Sequence, residues 1–212
     1  MLLVNIYGIN KSHVRFFTDA VFGVAITLLA VDFAIPQIEE DGLFKENDLE
    51  ELIFDIVLFI ITFVIIGAYW ITYQSLSAML AKTTDLTIWL NIIFLMFITM
   101  IPFTFKLTNI YDSNVYAYGF YCIVQIFAGS MLVSMWIHTL KGRLISPNKP
   151  IDKGIIRLTY FRTIVTPVLF LISLVISTYS LDAALGIPAL IIPASLVMRF
   201  IYRRKKDLYL TD

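Results

Sequence analysis

Apolar runs broken by short polar or charged clusters dominate the chain, and they lie at roughly 16–35, 52–73, 86–105, 115–140, 158–181 and 183–202. A hydrocarbon core of about 30 Å is crossed by about 20 helical residues rising 1.5 Å each. Each run therefore predicts a membrane-spanning helix. The breaks carry helix-ending residues: Pro36 with the acidic stretch to Glu51, Lys82 to Asp85, Thr108 to Asn114, and Ser146 to Lys153. Only a tight turn at Ser180-Leu181-Asp182 parts the last two runs, and Pro188 and Pro193 are expected to kink the sixth. The pattern predicts an all-α integral membrane protein with one six-helix domain over residues 1–212. The first ten residues carry no signal-peptide cleavage pattern.

Composition agrees. Of 212 residues, 59% are apolar and 15% charged, against about 45–50% and 25% in a soluble domain. Such a chain lacks the charge to cover a soluble core. The 16 basic and 16 acidic residues cancel, which argues against a general nucleic-acid binder. Cys122 is the single cysteine and lies in an apolar run, so an intrachain disulfide framework and a CxxC metal or redox site are excluded.

Placing the charges on six spans sets the orientation. Lys11, Arg15, Lys82, Lys141, Arg143, Lys149, Lys153, Arg157, Arg162, Arg199, Arg203, Arg204, Lys205 and Lys206 share one side, leaving only Lys45 and Lys106 on the other. Both termini are expected in the cytoplasm of a multi-pass protein of the cell membrane. Most acids fall on the outer side, with a cluster over 39–51. That cluster reads either as a solvated loop or as a cation-concentrating mouth. The basic tail 203–206 fits an anchor on anionic lipid.

No enzyme signature is present. His13 and His138 are the only histidines, and there is no HExxH, GxSxG, Walker A loop or GxGxxG after a strand. No cofactor and no protein-bound metal are expected. The second, fourth, fifth and sixth runs hold very few ionisable residues, which weakens a proton relay or secondary transporter. Most hydroxyl and amide residues in the runs read as helix-to-helix glue. Asn91 beside Trp89 and the pair Gly129-Ser130 suit close packing.

The first run differs. Arg15 and Asp19 stand at i and i+4, just inside the cytoplasmic boundary, where the pair can satisfy itself or hold neighbouring helices. Further along, Ala20, Val24, Thr27, Leu28 and Val31 form one stripe. Periodicity alone favours ordinary packing for this stripe. A ring of such helices would instead make a narrow apolar throat with one hydroxyl layer, a form of constriction that gates by dewetting.

The stretch from Arg15-Phe16-Phe17-Thr18-Asp19 through Ala20-Val21-Phe22-Gly23-Val24-Ala25-Ile26-Thr27-Leu28-Leu29, followed by Asp32 and Pro36, resembles the first-helix signature of the prokaryotic relatives of the transmembrane protein 175 family. Tyr69-Trp70-Ile71, Trp89-Leu90-Asn91, Phe94-Leu95 and Pro102-Phe103 extend the resemblance through the first three runs. It implies a potassium-preferring cation channel whose pore is lined by the first helix of each subunit. Because the animal protein pairs two six-helix units per chain, a one-unit chain implies a homotetramer. The constriction would fall on Val24, the selectivity hydroxyl on Thr27, and deeper apolar layers on Leu28 and Val31. Arg15, Thr18, Asp19, Trp70 and Asn91 would be structural anchors of the pore helix.

Three residues depart from the family pattern. Thr18 replaces a serine, Tyr73 stands where many relatives carry histidine, and Val24 is smaller than the usual constriction residue. The last implies a wider throat with weaker selectivity. No TVGYG-type loop is present, so a carbonyl filter is not expected. The expected partners are permeating potassium, lipid and further copies of the chain. The other readings of the same sequence are a small secondary transporter and a structural membrane protein without transport activity.

Overall fold

The computed structural model describes residues 8–31, 46–111, 114–142, 144–145, 153–191, 193–194 and 197. Five long helices occupy them: α1 (Lys11–Val31), α2 (Glu46–Met79), α3 (Asp85–Ile110), α4 (Val115–Lys141) and α5 (Lys153–Ser177). A short helix, α6 (Leu181–Gly186), and a 3₁₀ turn at Pro188–Leu190 follow. The described residues contain no strand beyond one isolated bridge between Leu80 and Ile145.

All five long helices carry an apolar segment long enough to cross a membrane, which in α2 is Asp55–Met79 and in α5 is Thr159–Ser177. The first five expected runs each fall on one of these helices. The sixth, 183–202, begins as α6 and the 3₁₀ turn. Beyond Ile191, Pro193, Ala194 and Val197 it lies outside the described residues. So do Asp32, Pro36, most of the acidic stretch to Glu51, Arg143, Lys149 and the basic tail 203–206.

The helices outrun the apolar runs at their polar ends. α1 starts at Lys11, because the Asn10 carbonyl accepts from the His13 and Val14 amides at 3.0 and 3.3 Å. Asparagine is a favoured residue at that position. Thr84 caps α3 by accepting from the Thr87 amide at 3.2 Å. Asn114 caps α4 by accepting from Tyr116 and Ala117 at 2.9 and 3.3 Å.

α1 packs mainly on α3 and then α2, α3 on α4, and α4 on α5. Phe94 of α3 is the hub of the first three helices. Its ring lies 5.9 Å from Phe22 of α1 and 6.1 Å from both Tyr69 and Tyr73 of α2, stacked on the latter. Aromatic pairs at such distances add about 0.5–1.5 kcal/mol each beyond burial. α4 and α5 run antiparallel and touch where Gly129 meets Pro167, so closely that a Cβ on Gly129 would lie 2.7 Å from Pro167 Cδ. Tyr118 of α4 lies 2.6 Å from Ser173 Oγ of α5, and both hydroxyls reach the Ala184 carbonyl of α6, at 3.0 and 2.9 Å.

One end of the bundle collects lysines. Lys11 Nζ donates to the Leu80 carbonyl at 2.6 Å, capping the negative end of α2. Thr83 Oγ1 donates to the Ile9 carbonyl at 3.2 Å. His138 Nε2 lies 2.9 Å from Thr84 Oγ1. The start of α1, the α2–α3 connection with Lys82 and the end of α4 with Lys141 therefore share one end.

Candidate functional site

The first helix has two unlike faces. Val14, Thr18, Phe22, Ala25 and Leu29 recur every three or four positions and are buried against the bundle. The polar members of this side bond to the neighbouring helices. Thr18 Oγ1 donates to the Val14 carbonyl at 2.9 Å and accepts from Asn91 Nδ2 of α3, also at 2.9 Å. The Tyr73 hydroxyl of α2 lies 3.2 Å away. Asp19 Oδ1 accepts from Trp70 Nε1 of α2 at 2.8 Å and from Gln74 Nε2 of the same helix. One helix is thus tied to two others through adjacent residues.

Arg15 does not share this arrangement. It is exposed and makes no hydrogen bond or ion pair among the described residues, so the i, i+4 partner of Asp19 is not its bonding partner here. Both carboxylate contacts run to α2 instead. Tyr73, the departure from the histidine-bearing pattern, places its hydroxyl at Thr18 and its ring on Phe94.

The opposite face of α1 has no partner among the described residues. Val24, Leu28 and Val31 are 54%, 45% and 77% exposed, and Ala20 and Thr27 are exposed beside them. The stripe is therefore not packed in the interior of its own bundle. The Thr27 hydroxyl donates back to its own helix, at 2.9 Å from the Val24 carbonyl and 3.1 Å from that of Gly23. A hydroxyl has one proton and two lone pairs, so this leaves the acceptor side of Thr27 turned outward. Between Asp19 and Val31 the helix carries no titratable group.

Gln74 and Tyr121 were not singled out from the chain pattern. Gln74 follows Trp70 by four positions, a spacing that puts both on one helix face and could have found it. Tyr69 donates to the Gln125 carbonyl at 2.7 Å, and Thr62 Oγ1 lies 3.1 Å from the Tyr121 hydroxyl. These cross-links between α2 and α4 left no local spacing to read. Among the described residues, no group of three or more His, Cys, Asp or Glu could hold a metal ion.

Five apolar spans arranged in this way make the chain a multi-pass integral membrane protein of the cell membrane. The family described as the endosomal/lysosomal potassium channel TMEM175 matches residues 13–102, from α1 into α3. A potassium channel of Streptomyces collinus is 24% identical over 159 residues, covering 72% of this chain and 75% of that one. The endosomal/lysosomal proton channel TMEM175 of Gallus gallus is 27% identical over 143 residues, covering 62% of this chain. The chain spans only 28% of that animal relative's length.

The crystal structure of a lysosomal potassium-selective channel TMEM175 homolog from Chamaesiphon minutus superposes with a TM-score of 0.73 at 21% identity, over 89% of this chain and 97% of that one. Over residues 13–102 the chain is similar to the TMEM175 family, and it is comparable in extent to the Streptomyces collinus and Chamaesiphon minutus proteins.

Proposed function

We propose that the chain is a potassium-preferring cation channel, assembled as a homotetramer with α1 of each subunit around a central axis. The observation that carries this reading is the division of α1. One face is bonded to α2 and α3 through Thr18 and Asp19, while the other leaves Val24, Thr27, Leu28 and Val31 exposed among the described residues. The potassium-channel names of the Streptomyces collinus relative and the Chamaesiphon minutus homolog agree with it. Each subunit would carry six spans, with both termini on the cytoplasmic side. The lysine-rich end formed by Lys11, Lys82 and Lys141 favours that orientation.

In such a ring Val24 forms the constriction, where a permeating ion sheds part of its water. Thr27 lies one turn away, and its outward lone pairs replace some of the lost ligands. Leu28 and Val31 continue the apolar throat, in which dewetting closes the path. Thr18, Asp19, Trp70 and Asn91 hold the helix in register. The same ring would conduct cations without a titratable relay, which favours potassium over the proton named for the animal relatives.

Flux into liposomes containing the purified protein tests the proposal. Val24→Asn hydrates the constriction and is expected to raise potassium flux on the order of tenfold, the effect of about 1.4 kcal/mol off the barrier. Thr27→Val is expected to lower the potassium-to-sodium ratio. If neither substitution changes flux or ratio, α1 does not line the pore. Saturable, gradient-coupled uptake would identify a transporter instead.

A further inference from the structure

Arg162 is a charge inside an apolar segment with no bond to any described residue. It stands three residues inside the apolar segment Thr159–Ser177 of α5 and is half-buried. It makes no hydrogen bond or ion pair with any described residue. A cation within a membrane helix is costly and finds an anionic or carbonyl partner. Among the described carboxylates, Asp19 is bonded to α2, Asp85 at the start of α3 has a partner of its own, and Asp182 follows α5 at its far end.

Position narrows the missing partner. The contact of Gly129 with Pro167 fixes the antiparallel register of α4 and α5. Five residues back from Pro167, Arg162 lies alongside the last turns of α4, near the lysine-rich end. At about 1.5 Å per residue, its Cα is about 5 Å inside the edge of the apolar segment. An arginine side chain readily spans that depth to the headgroup layer. Arg157 is exposed nearer the helix start, and Phe161 beside Arg162 is exposed on the lipid side. Thr159 adds a hydroxyl one turn from Arg162 on the same face.

The occupant is not a second copy of the chain. α5 packs mainly on α4 and α6, whereas α1 packs mainly on α3 and α2. With α1 at the axis, α5 lies towards the periphery. This direction rests on the proposed assembly; the orphan charge does not.

We infer that Arg162 holds the phosphate of an anionic phospholipid at the basic end of the bundle. The guanidinium fork suits two phosphate oxygens at once, and Arg157 adds long-range attraction.

The experiment uses the full-length protein in detergent, with bound lipids counted by native mass spectrometry during titration with phosphatidylglycerol, phosphatidylcholine or inorganic phosphate. Wild type is expected to take up phosphatidylglycerol in preference to phosphatidylcholine and to resist competition by millimolar phosphate. Arg162→Ala is expected to weaken the tightest phosphatidylglycerol step about fivefold, as for about 1 kcal/mol per basic residue at an anionic surface. Arg162→Lys should fall between, since it keeps the charge without the fork.

Equal uptake of the two lipids by wild type overturns the inference, and that measurement needs no variant. Unchanged lipid binding in both variants also overturns it, as does displacement by inorganic phosphate. Loss of the oligomer with lipid binding intact would assign Arg162 to a subunit contact instead. Potassium flux is not read, so failure of the lipid site and failure of the channel proposal are separate results.

Discussion

Asp19 is a carboxylate where α1 turns apolar, and two N–H donors from α2, Trp70 Nε1 and Gln74 Nε2, make that position tolerable. Hydrogen bonds to a charged group contribute about 1.5–3 kcal/mol each. Trp70 is 40% exposed, so water competes for one of the two and the pair falls short of the sum. Asp19→Leu removes the acceptor and strands both donors, and is expected to cost about 2 kcal/mol. Asp19→Asn keeps an acceptor oxygen and loses only the charge, so about half that cost is expected. Thermal unfolding of the detergent-solubilised protein separates the two. Equal losses, or a larger loss for asparagine, would mean that the tie to α2 contributes no stability. The neighbouring Thr18–Asn91 bond is buried on both sides, but neutral interhelical bonds of this kind average only about 0.6 kcal/mol in membranes. At this scale the charged tie dominates.

Between elements, contact is set by shape more than by polarity. α4 and α5 approach at Gly129, where an added Cβ would lie 2.7–2.9 Å from three atoms of the rigid Pro167 ring. Gly129→Ala is therefore expected to lower stability by about 1–3 kcal/mol, the usual cost of overpacking. Gly67→Ala in α2, where a Cβ meets nothing within 4 Å, should leave the melting temperature unchanged or raise it. Equal behaviour of the two variants would mean that α4 and α5 are not in close contact in the membrane.

Much of this architecture was readable from hydropathy, because five apolar segments are each long enough to span. The polar helix ends were not. Lys11-Ser12-His13 and Glu46–Glu51 are helical yet add nothing to an apolar run. The Gly129-Ser130 contact was legible because a small residue in a membrane span has few other uses. The free face of α1 was not, since small and branched side chains serve packing as well as a throat. Only the direction of the Thr18 and Asp19 bonds separates the two faces.

At the scale of the whole molecule, a face without partners in one subunit must meet lipid or another subunit. α2 and α3 also expose apolar stripes, with Ile53, Ile56, Val57 and Ile60 on one and Trp89, Ile92, Met96 and Phe103 on the other. Large aliphatic and aromatic side chains are what lipid contact tolerates. The α1 stripe differs in carrying the small Ala20 and Gly23 beside Val24 and Thr27, and small residues let backbones approach closely. Four α1 helices around an axis would bring Val24 of different subunits within reach of one another. The single cysteine is buried, so Cys122→Ser supplies a silent background for a cross-linking test. In that background Val24→Cys is expected to form intermolecular disulfides on mild oxidation in native membranes, which requires Cα atoms roughly 4.4–6.8 Å apart. Phe103→Cys, on the expected lipid side, should form none. Cross-linking at Phe103 but not at Val24 would move the axis to α3 and remove the throat from α1.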